Sequence, residues 1–272
     1  MASFLSEIYY VSMIQLLIIG LREENINQMK AYIITIELKE SNPLIWRSVI
    51  MPADATYKRL HDTIQTVTNF QGGYPSDGYH LYEFNLMEEN KKVTNNEEAY
   101  LEHQHYKKIR LLSKKRLETI PDNMRKFEQK YQDRLQVEVR KPSGIKIDGY
   151  LEKYKEINYV HDLGDNWNFT IKLEKIVDDY YFGYPTLLDG GGTAPPEDVG
   201  GMDNFYEFLE IYRNPNHPDH EETKAWADSL HFREYDFEWM NHMLKMLNYK
   251  KTEWDKINHV GYVVIADKYR KK

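Results

Sequence analysis

The sequence contains no cysteine among its 272 residues. Disulfide bonds, thiolate metal sites and cysteine nucleophiles are therefore all excluded. Because a chain without disulfides needs no oxidising compartment, the composition fits a reducing cytosol and predicts a cytoplasmic location.

Long apolar runs are also missing. The stretch most like a membrane segment, residues 8–21, is shorter than the roughly 20 residues needed to cross a bilayer. No basic segment precedes it and no small-residue cleavage site follows it. We therefore expect no membrane partner and treat residues 1–30 as an N-terminal extension. This extension is either an extra amphipathic helix or leader residues upstream of a start at Met29.

Several catalytic and nucleotide-binding motifs are absent as well. The sequence has no GxxxxGK(S/T) phosphate loop, no dinucleotide fingerprint, no GxSxG nucleophile elbow and no HExxH pair. The formal net charge of -7 argues against a general phosphate-binding surface. A basic run at residues 107–116 keeps nucleic-acid binding open. We favour a solvated insertion instead, because few aromatic residues accompany these charges.

The chain does have the composition of a globular protein, with 41% hydrophobic and 29% charged residues. Alternation over residues 31–40 predicts a strand, and residues 44–51 predict a second strand paired with it across a short turn. Helical spacing from Tyr57 to Val67 predicts a helix that Asp54 or Thr56 caps and that Gly72 and Gly73 end. A strand at residues 80–86 completes a ββαβ beginning.

Later segments predict more helix than strand. A polar stretch at residues 88–98 precedes a helical insertion near residues 113–140, whose apolar face is expected at residues 124–135. Strands at residues 154–161 and 167–177 flank a tight turn and are followed by helical stripes. We predict one α+β domain over residues 31–250, in which an antiparallel sheet from the N-terminal and central hairpins packs with an N-terminal helix and C-terminal helices. Residues 251–272 are expected to form a C-terminal tail.

The segment HDLGDNW, residues 161–167, brings an imidazole and two carboxylates into one predicted hairpin turn. His161, Asp162 and Asp165 form a set that suits acid–base chemistry or a hard cation, and Trp167 begins the next strand. The alternative is that both aspartates accept hydrogen bonds from turn amides, as is common in short Asp-Gly turns.

The segment GGGTAPPEDVGG, residues 190–201, carries a second acidic group. Two prolines fix the backbone before Glu197 and Asp198, and the flanking glycines permit conformations closed to other residues. This rigid pair suits cation or ligand binding, although it also suits the N-terminus of the helix that follows. We expect the two segments to form one ligand-facing site. Its predicted metal ligands are Asp162, Asp165, Glu197 and Asp198.

Four further residues are candidates for the same site, and each also has an ordinary structural explanation. Trp46 and Arg47 lie on a predicted strand, where a tryptophan is usually core and an arginine usually solvated. His61 and His80 are single histidines, which pack more often than they bind a ligand. The segment NPNHPDHEE, residues 214–222, has zinc-binding residue types, but a polar loop followed by a helix with Asp219 as its cap is the favoured interpretation.

These segments, in this order, resemble the plasmid pRiA4b open-reading-frame-3-like family, whose members are also labelled TnpR-type passenger proteins of an insertion element. The resemblance runs from about Ala31 to Leu247 and implies an α+β fold and an association with mobile elements and plasmids. It implies no settled activity, and the chain shows no catalytic serine pattern of a resolvase. The matching segments are SNPLIWRSVIMPADATYKRLHDTIQ, HLYEF, YVHDLGDNWNFTIKLEKI, PPEDVGGMDNFYEFLE and NPNHPDHEE.

The family's motif positions coincide with the candidates found above. The chain departs from the family at Phe169, where histidine is common, and near Leu187, where a cysteine often precedes the PPED motif. The resemblance therefore gives no support for a metal site that uses those two positions. The motif positions are Trp46, Arg47, His61, His80, Asp162, Gly164, Asp165, Trp167, Pro195, Pro196, Glu197, Asp198, Gly200 and Gly201.

The sequence thus predicts a binding module whose acidic site recognises a partner protein or a small ligand. The alternative is a divalent-metal-dependent hydrolase or nuclease, in which the four carboxylates hold the cation and His61, His80 or His161 moves protons. A divalent cation is the cofactor that this alternative requires. Neither the identity of the ligand nor the presence of enzymatic activity follows from the residues.

Overall fold

The computed structural model of the chain describes residues 30–70, 80–113, 121, 136–247 and 261–270. Eight of the described strands form one sheet in the order β5-β4-β3-β6-β7-β1-β2-β8, and β4–β5 is its parallel pair. The other neighbouring strands run antiparallel. The strands are β1 (Ala31–Leu38), β2 (Ile45–Pro52), β3 (Tyr82–Leu86), β4 (Lys91–Thr94), β5 (Glu138–Arg140), β6 (Glu156–His161), β7 (Trp167–Val177) and β8 (Thr186–Gly191).

Helices pack on this sheet, so the predicted α+β fold is confirmed. None of the described helices is both long enough and apolar enough to span a membrane. Short 3-10 turns lie at Met87–Glu89 and Pro142–Gly144. The α-helices are α1 (Tyr57–Thr66), α2 (Glu97–Ser113), α3 (Asp148–Tyr154), α4 (Met202–Arg213), α5 (His220–Ser229), α6 (Phe237–Met246) and α7 (Gly261–Tyr269).

Both hairpins predicted from the sequence are present. β1 and β2 pair with Ile36 opposite Arg47, and β6 and β7 pair with His161 opposite Trp167. In β1 the apolar residues enter the core while the polar residues near its end stay half-buried, which is the alternation that predicted the strand. Because β7 also pairs with β1, the two hairpins lie side by side in the middle of the sheet.

Helix α1 packs on one face of the sheet and positions residues near the candidate site. Thr56, one of two predicted caps, accepts a hydrogen bond from the Arg59 amide. Leu60 and Ile64 are fully buried, and burial of each such side chain contributes roughly 1.5–3 kcal/mol. The helix ends at Thr66, earlier than predicted, and the glycines expected to end it lie outside the described residues.

Strand β8 forms one edge of the sheet and leads into the segment that carries Glu197. The sequence did not predict this strand, because its last two residues are glycines, which have low strand propensity. Asn241 of α6 covers its edge, where Oδ1 accepts from the Leu187 amide at 2.8 Å and Nδ2 donates to the Leu187 carbonyl at 3.1 Å. This side chain occupies hydrogen-bonding positions that another strand would otherwise fill.

Other elements also differ from the prediction. β4 lies within the polar stretch at residues 88–98, where no strand was predicted. Its buried residues are Val93 and Thr94. Helix α2 begins at Glu97, ahead of the insertion expected near residues 113–140, and the helical face expected at residues 124–135 lies outside the described residues. Within the segment expected as a tail, α7 packs Ile265 and Ala266 against the opposite face of the sheet.

Arg47 joins β2 and β8 to the end of α1. Its side chain is 1% exposed, and Nε donates to the Val67 carbonyl at 2.7 Å. Nη1 donates to the carbonyls of Trp46 at 2.7 Å and Gly191 at 2.8 Å, and Nη2 donates to that of Gly192 at 2.9 Å. Burial lowers the pKa of Arg47 to about 10. The expectation of a solvated arginine was wrong, because these four carbonyls replace water around the guanidinium.

Substituting Arg47 tests this junction. Arg47→Met leaves buried carbonyls without a donor, and each such group costs about 1–3 kcal/mol, so the free energy of unfolding should fall by at least about 3 kcal/mol. Urea denaturation measures this change. Arg59→Met removes an arginine that is 42% exposed and serves as the control. A loss no larger than that of the control would contradict the assigned role.

Candidate functional site

His80 lies between carboxylates from both acidic segments. Its Nδ1 is 3.4 Å from Asp162 Oδ2, and its Nε2 is 3.2 Å from Glu197 Oε2 and 3.6 Å from Asp198 Oδ1. The segment just before β3, the turn after β6 and the PPED segment therefore meet at one imidazole. Asp198 has 52% of its side chain exposed, so the cluster opens to solvent there.

The β6–β7 turn holds Asp162 in place by its backbone. Asp162 has a φ of +51°, in the left-handed region that Asp tolerates better than most residues. Its amide donates to the Leu81 carbonyl, and its Oδ1 accepts from the Gly164 amide at 2.9 Å. One carboxylate oxygen thus stabilises the turn, as the structural interpretation expected, while the other faces His80.

Asn69 holds the PPED segment against the residues that follow α1. Its Nδ2 donates to the Ala194 carbonyl at 2.6 Å, and its backbone forms a parallel bridge with Pro196. The next residue, Glu197, is 4% exposed. Asp198 adopts a φ of +55°, so the two acidic side chains separate, with Glu197 buried and Asp198 at the surface.

Asp165 contacts the loop rather than the His80 cluster. Its Oδ2 accepts a hydrogen bond of 2.9 Å from the Gly200 amide, which joins the turn to the PPED segment. Gly200 has a φ of +86°, a left-handed conformation that favours glycine, and a Cβ there would also lie 2.5 Å from Asn204 Nδ2. In the structure Asp165 thus links the turn to the loop, and its coordination of a metal stays a prediction.

Neither acidic residue of the PPED segment caps the following helix. The N-cap of α4 is Gly201, and no side chain makes a capping hydrogen bond there. The capping interpretation of Glu197 and Asp198 was wrong, since three residues of glycine-rich backbone separate Asp198 from the first turn of the helix.

Glu197 has one oxygen without a hydrogen-bond donor. Its Oε1 is 3.4 Å from His161 Nε2, in a pair that is almost fully buried. Its Oε2 is buried without a hydrogen-bond partner, because the 3.2 Å contact with His80 Nε2 lacks hydrogen-bond geometry. A buried carboxylate oxygen without a hydrogen bond lowers the stability of the fold, and this oxygen faces the cluster around His80.

Three of the clustered side chains have the spacing of metal ligands. One ligand atom each from His80, Asp162 and Asp198 lies within 4.8 Å of the other two. A set of one imidazole and two carboxylates suits zinc, manganese or iron better than calcium, which takes oxygen ligands alone. Two of the four predicted ligands, Asp162 and Asp198, belong to this group, which also includes His80.

His61 lies behind the cluster rather than in it. Its ring stacks on Tyr82 with centroids 3.6 Å apart, and its Nδ1 is 2.8 Å from the Tyr159 hydroxyl. Burial, followed by the charges of His161 and Lys58, holds the pKa of His61 well below its ordinary value. Burial also raises the pKa of the Tyr159 hydroxyl, so this pair is uncharged near neutral pH.

The remaining candidates contact other parts of the protein. Trp46 is half-buried with its indole against Gly191, and Arg47 binds the backbone carbonyls described above. Trp167 is buried, with its ring 5.7 Å from that of Phe70. None of these contacts reaches the carboxylates around His80.

The segment at residues 214–222 shows no metal-binding geometry within the described part of the chain. His217 Nδ1 accepts from the Asp219 amide, and His220 Nδ1 lies 3.1 Å from the Ile211 carbonyl. Asp219 occupies the predicted N-cap position of α5 but makes no side-chain capping bond.

The sequence interpretation missed Gln65, Asn69 and Tyr159, which support the site from within the fold. Gln65 lies four residues after His61, so the two share one face of α1, and this spacing was the available signal. The contacts of Asn69 and Tyr159 depend on segments more than 90 residues away, which no local pattern reveals.

Comparisons with known proteins give a family but no activity. The family model described as plasmid pRiA4b ORF-3-like protein matches residues 30–243. Uncharacterized protein y4hQ of Sinorhizobium fredii (strain NBRC 101917 / NGR234) is 40% identical over 75 residues, which are 28% of this chain and 39% of that relative. A crystal structure of the protein of unknown function MM3350 from Methanosarcina mazei Go1 matches with 25% identity and a TM-score of 0.50. That match covers 74% of this chain and 90% of the other.

The low pKa of His61 makes stability depend on pH. The pKa of His61 is 6.5 in the unfolded chain and well below that in the fold. Below pH 6.5 the unfolded chain therefore binds a proton that the folded protein does not bind, and stability that is present above this pH is lost as the pH falls. Between pH 6.5 and 5.5 this residue should contribute a loss of about 1 kcal/mol. Urea unfolding at several pH values measures the slope. His61→Phe keeps an aromatic ring on Tyr82, and its free energy of unfolding should depend less steeply on pH than that of the wild type. Equal slopes for the two proteins would contradict the low pKa of His61.

Proposed function

We propose, from the premise that the chain belongs to the plasmid pRiA4b ORF-3-like family, that it is a binding protein whose acidic site holds a divalent metal cation. The ligands would be His80, Asp162 and Asp198, and the observation that carries the proposal is their mutual spacing of less than 4.8 Å. An association with mobile elements, a TnpR-type role and a cytoplasmic location stay predictions from the sequence.

The buried oxygen of Glu197 supports a cation at this position. A carboxylate oxygen that lacks a donor is stabilised by a nearby positive charge, and Oε2 faces the imidazole that would bind the metal. When a histidine binds a metal through one nitrogen, its other ring N–H commonly donates to a carboxylate. Glu197 is placed to accept that bond from His80 after a small rotation of the ring.

The backbone at the two aspartates supports the same proposal. Asp162 and Asp198 both have left-handed backbone, with φ values of +51° and +55°. Non-glycine residues in this region cost of order 1 kcal/mol or more and concentrate at ligand sites. Both conformations direct a carboxylate to His80, which connects this backbone cost to the binding of a ligand.

A metal-assisted hydrolase is the second candidate function, and the position of Glu197 favours it. Three protein ligands leave coordination positions open for water and substrate, as in catalytic zinc sites. Glu197 immediately precedes one proposed ligand and lies 3.2 Å from another, so it could accept a proton from a metal-bound water. The metal would supply Lewis acidity, and the protein would supply the base.

Calorimetry tests the cation site. We expect zinc or manganese to bind the wild-type protein with a stoichiometry of about one, because the described residues offer one such ligand group. Asp162→Asn and Asp198→Asn should each weaken binding by at least about tenfold, since each removes a charged ligand.

Asp165→Asn is the matched control, because it removes the same charge yet keeps an oxygen for the Gly200 amide. It should change affinity by less than about threefold, since this side chain does not face the cluster. Binding that is lost equally in all three variants would favour a nonspecific acidic surface. The absence of any uptake by the wild-type protein would refute the proposed function.

Hydrolysis is tested separately with the metal-loaded protein. Activated carboxylic and phosphate esters serve as substrates, and Glu197→Gln should lower turnover by roughly 10²-fold or more while metal is still bound. Equal turnover by wild type and Glu197→Gln, or none by either, would exclude this second function and leave the binding function standing.

A further inference from the structure

A line of buried polar side chains runs from Glu197 into the core. His161 Nε2 lies 3.4 Å from Glu197 Oε1, and Gln65 Nε2 lies 3.5 Å from His161 Nδ1. The same Gln65 nitrogen donates to the Tyr159 hydroxyl at 3.3 Å, and that hydroxyl is 2.8 Å from His61 Nδ1. We call this set of five side chains the interior line. Helix α1 supplies two of its members and strand β6 supplies two.

The directions of the two hydrogen bonds made by Gln65 follow from its chemistry, because an amide nitrogen donates and never accepts. Its N–H groups point to the Tyr159 oxygen and to His161 Nδ1. His161 Nδ1 therefore acts as an acceptor. Because the Tyr159 oxygen already accepts from Gln65, we assign the hydroxyl proton to the bond with His61 Nδ1. A neutral imidazole that accepts at Nδ1 carries its proton on Nε2, so His161 donates to Glu197 Oε1.

We propose that Gln65 is a positioning residue for the acidic site. By donating to His161, it sets the tautomer whose Nε2–H holds one oxygen of Glu197 and leaves the other oxygen facing His80. Partners beyond the direct ligands orient a metal site, and losing one commonly costs 10–100-fold in affinity. The consequence for affinity rests on the proposed cation function, whereas the tautomer of His161 does not.

Gln65→Glu reverses the direction of the two hydrogen bonds that residue 65 makes. Glutamate has nearly the same shape and a similar helix propensity, but both of its side-chain oxygens accept. Tyr159 and His161 would then donate to residue 65, which places the His161 proton on Nδ1. In the neutral ring, an Nε2 lone pair would then face Glu197, which would no longer accept a hydrogen bond from His161.

Nitrogen NMR of the cation-free protein reads the tautomers directly. The His161 ring of the wild type should show a protonated Nε2 and a bare Nδ1, and Gln65→Glu should show a protonated Nδ1. Calorimetry with zinc should give an affinity at least about tenfold lower for Gln65→Glu. Gln104→Glu introduces the same charge on α2 and should match the wild type in both measurements.

Two NMR results would overturn the positioning role: a wild-type His161 protonated on Nδ1, or His161 nitrogen signals that are unchanged in Gln65→Glu. A wild type that shows the expected tautomer but takes up no metal would refute the cation function while supporting the role of Gln65 in orienting His161. Metal uptake by the wild type with equal affinity in Gln65→Glu would support the cation function and refute the positioning role of Gln65.

Tyr159→Phe provides a second variant in case Gln65→Glu does not fold. This change removes the donor to His61 and leaves the bond between Gln65 and His161 intact. The His61 signature should therefore change while the His161 signature stays as in the wild type. A change at His161 without one at His61 would overturn the assigned directions.

Discussion

The buried guanidinium of Arg47 is the interaction on which the site depends. It binds carbonyls from two segments, the end of α1 at Val67 and the glycine segment at Gly191 and Gly192. Both segments continue toward the site, and two residues beyond Val67 the side chain of Asn69 reaches the Ala194 carbonyl. Because the Arg47 guanidinium holds both segments, Glu197 enters the core at a defined position. A positive charge at the end of a helix also complements the helix dipole.

The site gathers negative charge that the fold must stabilise by other means. Three carboxylates surround His80, and Glu197 is almost fully buried. Turn amides and the neighbouring histidine satisfy part of this charge, yet one buried oxygen lacks a donor. An apolar residue in place of Glu197 would cost less, so this arrangement lowers the stability of the fold. This cost is the strongest support for the proposed binding function.

Local patterns in the sequence predicted the parts of this structure that depend on neighbouring residues. The hairpins and the start of α1 followed from alternation and from the cap at Thr56, and the two acidic segments do contact each other through Asp165 and Gly200. The role of Asp165 could not be predicted, because its partner lies 35 residues away. Arg47 was misjudged for the same reason, since its acceptors are backbone carbonyls that become available only in the assembled fold.

The order of strands has a consequence for how the protein folds. β1 lies between β2, its neighbour in sequence, and β7, so that Glu37 pairs with Lys172 across 135 residues. Local hairpins close quickly, whereas distant pairings must first overcome the entropy of a long loop. We therefore expect each hairpin to form early and the centre of the sheet to close late. His80, Asp162 and Asp198 come from three separate stretches of chain, so they meet only after this slow step, and a nascent chain would acquire its acidic cluster last.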